Sequence, residues 1–266
     1  MPRFCANLSL LFTEQPFVGR YAAAARAGFS GVECHFPYAV PADVLAAELL
    51  AHRLEQVLFN LPPGNWSAGE RGIACLPDRV EEFEAGVAHA LDYARVLGCR
   101  RINCLAGLAP DDSDRAELLA IMERNLRFAA RALSREGIEL MVEPINTRDM
   151  PGFLLNRSDD TLALIERVGE PNVKLQYDVY HMQIMEGDLA RTLQRERARI
   201  GHVQIADNPG RHEPGSGEIN YPFLFDWLDR IGYTGWVSAE YIPAGDTEAG
   251  LGWMRDRRDV GCGQVE

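Results

Sequence analysis

Eight short apolar runs, separated by segments of helical periodicity, recur along this chain at roughly the ~31-residue repeat of one strand-plus-helix unit. They fall at 4–10, 31–36, 54–61, 101–105, 138–143, 173–178, 200–205 and 236–240. Helices are expected between them at 16–27, 42–51, 80–97, 118–133, 159–168 and 188–197, with a further one capped by Asn220. The stripe Val80, Phe83, Val87, Leu91, Ala94, Leu97 stops at Gly98, and the stripe Leu118, Met122, Leu126, Ala129, Leu133 stops at Gly137. Ser158 is expected to cap the 159–168 helix and Gly169 to end it. Eight such units in 266 residues predict an α/β chain folded as a single (β/α)8 barrel over 1–266, with neither linker nor low-complexity tract. The loop at 62–77 is long and Gly-rich, and loops of that length inside a compact domain usually carry function.

A barrel brings the C-terminal ends of its strands to one face. Glu143, Asp178, Gln204 and Glu240 all stand at such ends, so three carboxylates and an amide oxygen are expected to converge there. Carboxylate and amide oxygens suit a hard cation, Mg²⁺ or Mn²⁺, better than a soft one. Two residues earlier on the same strands are Met141, Gln176, His202 and Ser238. They point the same way one layer deeper, a largely polar layer suited to orienting the ligands above it.

Net charge is −12, with basic residues scattered along the chain, which argues against nucleic-acid or anionic-membrane partners and leaves a small anionic molecule as the expected one. The cysteines Cys5, Cys34, Cys75, Cys99, Cys104 and Cys262 form no CxxC pair and are expected to be reduced. The first residues enter a strand without a signal pattern, and no apolar stretch approaches the ~20 residues of a membrane span, so a cytoplasmic location is expected. Exposed outer helices suit a dimer or tetramer.

Several segments resemble the hydroxypyruvate isomerase family, within the xylose-isomerase-like TIM barrels: Glu143-Pro-Ile-Asn146, Gln176-Tyr-Asp-Val-Tyr-His-Met-Gln183, Gly201-His-Val-Gln-Ile-Ala-Asp-Asn208, Glu213-Pro-Gly-Ser-Gly-Glu-Ile-Asn-Tyr221 and Ser238-Ala-Glu-Tyr241. The likeness extends to Ala6-Asn-Leu-Ser9, His35-Phe-Pro-Tyr38, Asn60-Leu-Pro-Pro-Gly-Asn-Trp66 and Ala68-Gly-Glu-Arg-Gly-Ile-Ala-Cys-Leu-Pro77, nearly the whole chain up to Trp253. The loop ending at Pro77 and the segments at 143–146 and 177–183 are the narrower signals, expected to set this chain apart from 2-oxo-tetronate isomerases.

The resemblance implies interconversion of hydroxypyruvate and tartronate semialdehyde (2-hydroxy-3-oxopropanoate), with Glu143 and Glu240 as the proton donor and acceptor. Arg211, or Arg71 in the 62–77 loop, is the candidate clamp for the substrate carboxylate. His181 is a candidate for a substrate oxygen, His202 for substrate or for support beneath it, and Trp66 for a loop that covers the site. Three rivals remain: an isomerase or epimerase of a larger keto sugar or sugar acid, such as 2-oxo-tetronate; a metal-dependent DNA-repair phosphodiesterase; and a binding module without catalysis.

Overall fold

A computed structural model describes residues 2–254 of the chain. Its strands are β1 (Arg3–Asn7), β2 (Gly31–Cys34), β3 (Glu55–Asn60), β4 (Arg101–Cys104), β5 (Glu139–Val142), β6 (Val173–Asp178), β7 (Ile200–Ile205) and β8 (Trp236–Ala239). They pair in parallel, each with its neighbours in sequence, and β8 closes on β1. The helices are α1 (Gly19–Arg26), α2 (Ala42–His52), α3 (Val80–Leu97), α4 (Arg115–Ser134), α5 (Ser158–Val168), α6 (Val179–Met185), α7 (Leu189–Glu196) and α8 (Tyr221–Arg230). Among the described residues no helix is long and apolar enough to cross a membrane.

The expected strands and long helices form where the periodicity placed them; the α4 stripe is buried as read, and the α3 stripe buries Phe83, Val87, Ala94 and Leu97 but leaves Val80 and Leu91 half-buried. Asp114 caps α4 by accepting from the backbone N–H of Ala116 at 2.8 Å, and Asn220 caps α8 by accepting from that of Phe223 at 3.2 Å. Ser158 is a correction: it lies inside α5, and its hydroxyl donates to Glu186 at 2.7 Å instead of capping the helix. The helix α6 was not expected. Asp178 ends β6 and caps α6 at once, accepting from the N–H groups of Tyr180 and His181 at 2.7 and 3.3 Å, so no loop residue separates strand from helix. After β8 a short 3-10 turn forms at Ala249–Leu251; Cys262 lies outside the described residues.

Inside the barrel the side chains lie in layers. The lowest is apolar: Trp236, Met141, Cys5, Val57 and Leu58 form one buried cluster. The indole of Trp236 needs room that only a glycine on β2 gives, because a Cβ on Gly31 would come within 2.7 Å of that ring and 2.8 Å of Val57. Gly31→Ala is therefore expected to lose about 1–3 kcal/mol by overpacking, which a thermal melt would register as a lower Tm. An unchanged Tm would mean that the indole shifts freely.

Candidate active site

Each of the eight strands ends, within one residue, on a polar side chain facing the C-terminal mouth: Asn7, His35, Asn60, Asn103, Glu143, Asp178, Gln204 and Glu240. His35, Asn60, Glu143 and Glu240 line a cavity of about 270 Å³ together with His181, Arg211 and Trp66; Leu10, Leu105, Ile145 and Met150 supply its apolar wall. The bonds beneath this mouth are closely specified. Glu143 Oε2 accepts from Asn103 Nδ2 and Gln176 Nε2, both at 2.9 Å. Glu240 Oε1 lies 2.5 Å from His35 Nε2 and accepts from Asn7 Nδ2 at 3.2 Å.

Two carboxylate oxygens in this buried ring, Asp178 Oδ2 and Glu240 Oε2, have no hydrogen-bond partner, and leaving a buried charge so is costly. Burial pushes the Glu143 carboxyl well above its usual range, and the charges of Glu240 and Asp178 add to the rise. Burial and then Glu240 push Asp178 up to about 7. Burial also acts to raise Glu240, but the hydrogen bond and charge of His35, with Arg211 and His181, outweigh it and bring the group down to about 2. Burial opposes the charge on Arg211, whereas Glu240, Asp178 and Glu143 favour it and leave its pKa raised.

His181 has a defined tautomer. Asn146 Oδ1 accepts from the backbone N–H groups of Arg148 and Asp149 at 3.0 and 2.8 Å, which turns its Nδ2 toward His181 Nδ1, 2.7 Å away. An amide NH₂ only donates, so Nδ1 accepts and Nε2 carries the proton. That Nε2 lies 3.5 Å from Asp178 Oδ2 and 3.9 Å from Glu143 Oε1. Burial, helped by Arg211, brings the His181 pKa down to about 3, so near neutral pH it is an uncharged donor.

Donor atoms of Glu143, Asp178 and His181 lie within 4.8 Å of one another. With His181 Nε2 protonated, the carboxylate oxygens of Glu143 and Asp178 are the hard donors of this group. Three buried carboxylates, two of them with an unpartnered oxygen, fit a divalent cation.

Arg211 is held by Ile242, whose N–H donates to its carbonyl at 2.8 Å. Its guanidinium lies 3.5 Å from Glu240 Oε2 and over the Tyr180 ring at 5.3 Å, and its Nε is buried without a partner. Arg71 is placed differently: its guanidinium stacks on Trp66 at 4.1 Å and donates to the carbonyls of Trp66 and Glu70. Trp66 in turn packs on Phe36 with ring centroids 5.1 Å apart. The 62–77 loop is pinned near its middle, since Arg79 donates to Glu70 at 2.6 Å and Gly72 (φ +106°) passes so near Leu105 that a Cβ would lie 2.4 Å from its carbonyl oxygen.

Of the residues singled out from the sequence, Glu143, Glu240, His181, Arg211 and Trp66 line the cavity. Asp178 and Gln204 stand side by side in register on β6 and β7. His202 takes the lower of its two expected positions, fully buried and 2.7 Å from Glu33 Oε2. Sequence reasoning passed over His35, Asn60, Asn103 and Asn146 as site residues, although the first three share the strand-end placement that exposed the acids.

Known proteins resemble this chain over almost its whole length. A family model described as xylose isomerase-like TIM barrel matches residues 21–257. A 2-oxo-tetronate isomerase of Cupriavidus necator and a hydroxypyruvate isomerase of Escherichia coli are each 52% identical to it, and each alignment covers 96% of this chain and 98% of the relative. A crystal structure from Brucella melitensis, described as an AP endonuclease of family 2, superimposes with a TM-score of 0.94 at 49% identity over 96% of this chain and 99% of that one. Overall identity is equal to the two kinds of isomerase, so it does not make the separation that the narrower motifs led us to expect.

Proposed function

Because the chain belongs to the xylose isomerase-like TIM barrel family, alongside hydroxypyruvate and 2-oxo-tetronate isomerases, we propose that it interconverts hydroxypyruvate and tartronate semialdehyde. The observation that carries this reading is one small cavity in which two buried glutamates, Glu143 and Glu240, share the wall with Arg211. In this reaction a C–H proton α to the carbonyl leaves, an enediolate forms, and a proton is added to the neighbouring carbon while the oxygens exchange carbonyl and hydroxyl character. No atom is gained or lost. Two carboxylates beside adjacent carbons suffice to take and return the proton.

Arg211 binds the substrate carboxylate, with its unpartnered Nε available to form a bidentate pair. His181 donates its Nε2–H to a substrate oxygen as negative charge develops there. Trp66, braced by Phe36 and Arg71, closes the mouth and keeps water from the enediolate. Glu143, Asp178, Gln204 and Glu240 would hold Mg²⁺ or Mn²⁺, which when bound supplies neutralisation of charge at the substrate oxygens. Net charge of −12 and a small cavity with one arginine suit a small anion better than a nucleic-acid backbone. The five described cysteines, all free and buried, support a reducing cytoplasmic setting, and pairing through the outer helices remains part of the reading.

Proton NMR in D₂O tests it. With Mg²⁺ present, hydroxypyruvate is expected to give tartronate semialdehyde carrying deuterium at the carbon that receives the proton. The equal likeness to the Cupriavidus necator relative favours 2-oxo-tetronate as a second substrate, so both are offered in parallel. Failure to convert either with Mg²⁺ or Mn²⁺ would remove the proposal.

A further inference from the structure

Beneath the cavity the two glutamates are joined by an unbroken line of buried hydrogen bonds. Gln176 Nε2 donates to Glu143 Oε2 at 2.9 Å and to Gln204 Oε1 at 2.7 Å. Gln204 Nε2 donates to Glu33 Oε1 at 2.9 Å. Asn7 Nδ2 then donates to the same Glu33 oxygen at 2.9 Å and to Glu240 Oε1 at 3.2 Å. The orientation of Asn7 is independently fixed, because its Oδ1 accepts from the backbone N–H of Ser9 at 2.9 Å. Glu33 is at the centre of this line, completely buried, with His202 Nε2 2.7 Å from its other oxygen.

An amide has two ends of similar shape and opposite hydrogen-bonding sense, and only its surroundings decide which end faces where. We infer that Glu33 is the positioning residue that sets this choice for Gln204. A carboxylate oxygen already accepting from Asn7 demands an N–H from Gln204 and refuses its oxygen. The oxygen of Gln204 is thereby turned to the opposite side of the amide, toward Gln176, with a lone pair left over. Without Glu33 only the bond from Gln176 still holds the oxygen end in place, and the flipped amide would present NH₂, a group that repels a cation. No other side chain is hydrogen-bonded to Gln204 Nε2 among the described residues.

This inference rests on the reading of Gln204 as a cation ligand, and the test separates the two. Mn²⁺ binding is measured by EPR titration on the parent, Glu33→Gln, Gln204→Leu and the double variant, each first shown to fold by a cooperative CD melt. Glu33→Gln is near-isosteric and can flip its own amide toward Gln204, so Mn²⁺ affinity is expected to fall about 10-fold or more, and kcat/KM with it. In the Gln204→Leu background the same substitution is expected to change Mn²⁺ affinity less than twofold, since the residue it acts through is gone. A merely structural Glu33 would give the same loss in both backgrounds, which would overturn the inference, as would parent-like affinity in Glu33→Gln. A parent that binds no Mn²⁺ would instead sink the cation reading itself. Should Glu33→Gln lack a cooperative melt, Glu33→Asp replaces it and is judged by the same coupling.

Discussion

Glu143→Gln and Glu240→Gln are each expected to lower kcat by about 10²–10⁴-fold, the range for removing a positioned acid or base, while only Glu240→Gln lowers Tm. In Glu143→Gln the remaining oxygen still accepts from Asn103 and Gln176, and the crowded carboxylate that burial, Glu240 and Asp178 disfavour becomes neutral. Its Tm, measured without added cation, should stay level or rise. In Glu240→Gln the oxygen can serve His35 and Asn7, but an NH₂ then faces the Arg211 guanidinium, 3.5 Å from the present Oε2. A half-buried arginine loses its nearest counter-charge, so Tm should fall. Steady-state kinetics and calorimetry on the two variants check both halves. Retention of more than a tenth of kcat by either would deny that glutamate its part in proton transfer.

Chelation is the second large effect: in EDTA, turnover is expected to disappear and stability to decline as pH rises from 5 to 8. A carboxyl whose pKa is higher in the folded chain than in the unfolded one binds its proton more tightly when folded. Its stabilising contribution is therefore lost as pH climbs between the two values. For Asp178 that interval runs from the ordinary 3.8 to about 7, and Glu143 is displaced in the same direction. Glu240, down at about 2, titrates below the interval, while His181, held down at about 3, acts in the opposite sense up to its ordinary 6.5 and offsets one of the two carboxyls there, so the decline should be steeper above about pH 6.5 than below it. Added Mg²⁺ should reverse the trend, its gain in Tm growing with pH because the ligands must be deprotonated to bind it. Melts at four pH values, with EDTA and with Mg²⁺, are sufficient; a flat EDTA series with no response to Mg²⁺ would contradict the proposed cluster.

What could be read in the sequence was whatever repeats along the chain. Strands β5 to β8 announced themselves by short apolar runs, and their terminal Glu143, Asp178, Gln204 and Glu240 by the abrupt switch to an acid or amide. The same switch occurs at Asn7, Asn60 and Asn103, but a lone Asn at a strand end also signals an ordinary turn. Helix α6 was missed because Asp178 ends one element and caps the next, leaving no punctuation between them. Least legible were the contacts that give the site its polarity. Asn7 meets Glu240 across 233 residues and His35 meets it across 205, and no local pattern encodes a meeting that only barrel closure creates. His181 was legible by position, but its tautomer came from Asn146 and two backbone N–H groups.

The indole of Trp236, packed with Cys5, Val57, Leu58 and Met141 in one buried apolar cluster inside the barrel, makes the reaction chamber a cul-de-sac. Reactant and product must use one doorway in turn, so neither can enter until the other has left. Product should then act as a strictly competitive inhibitor, and any exchange of the migrating hydrogen with bulk solvent must take place through that same opening.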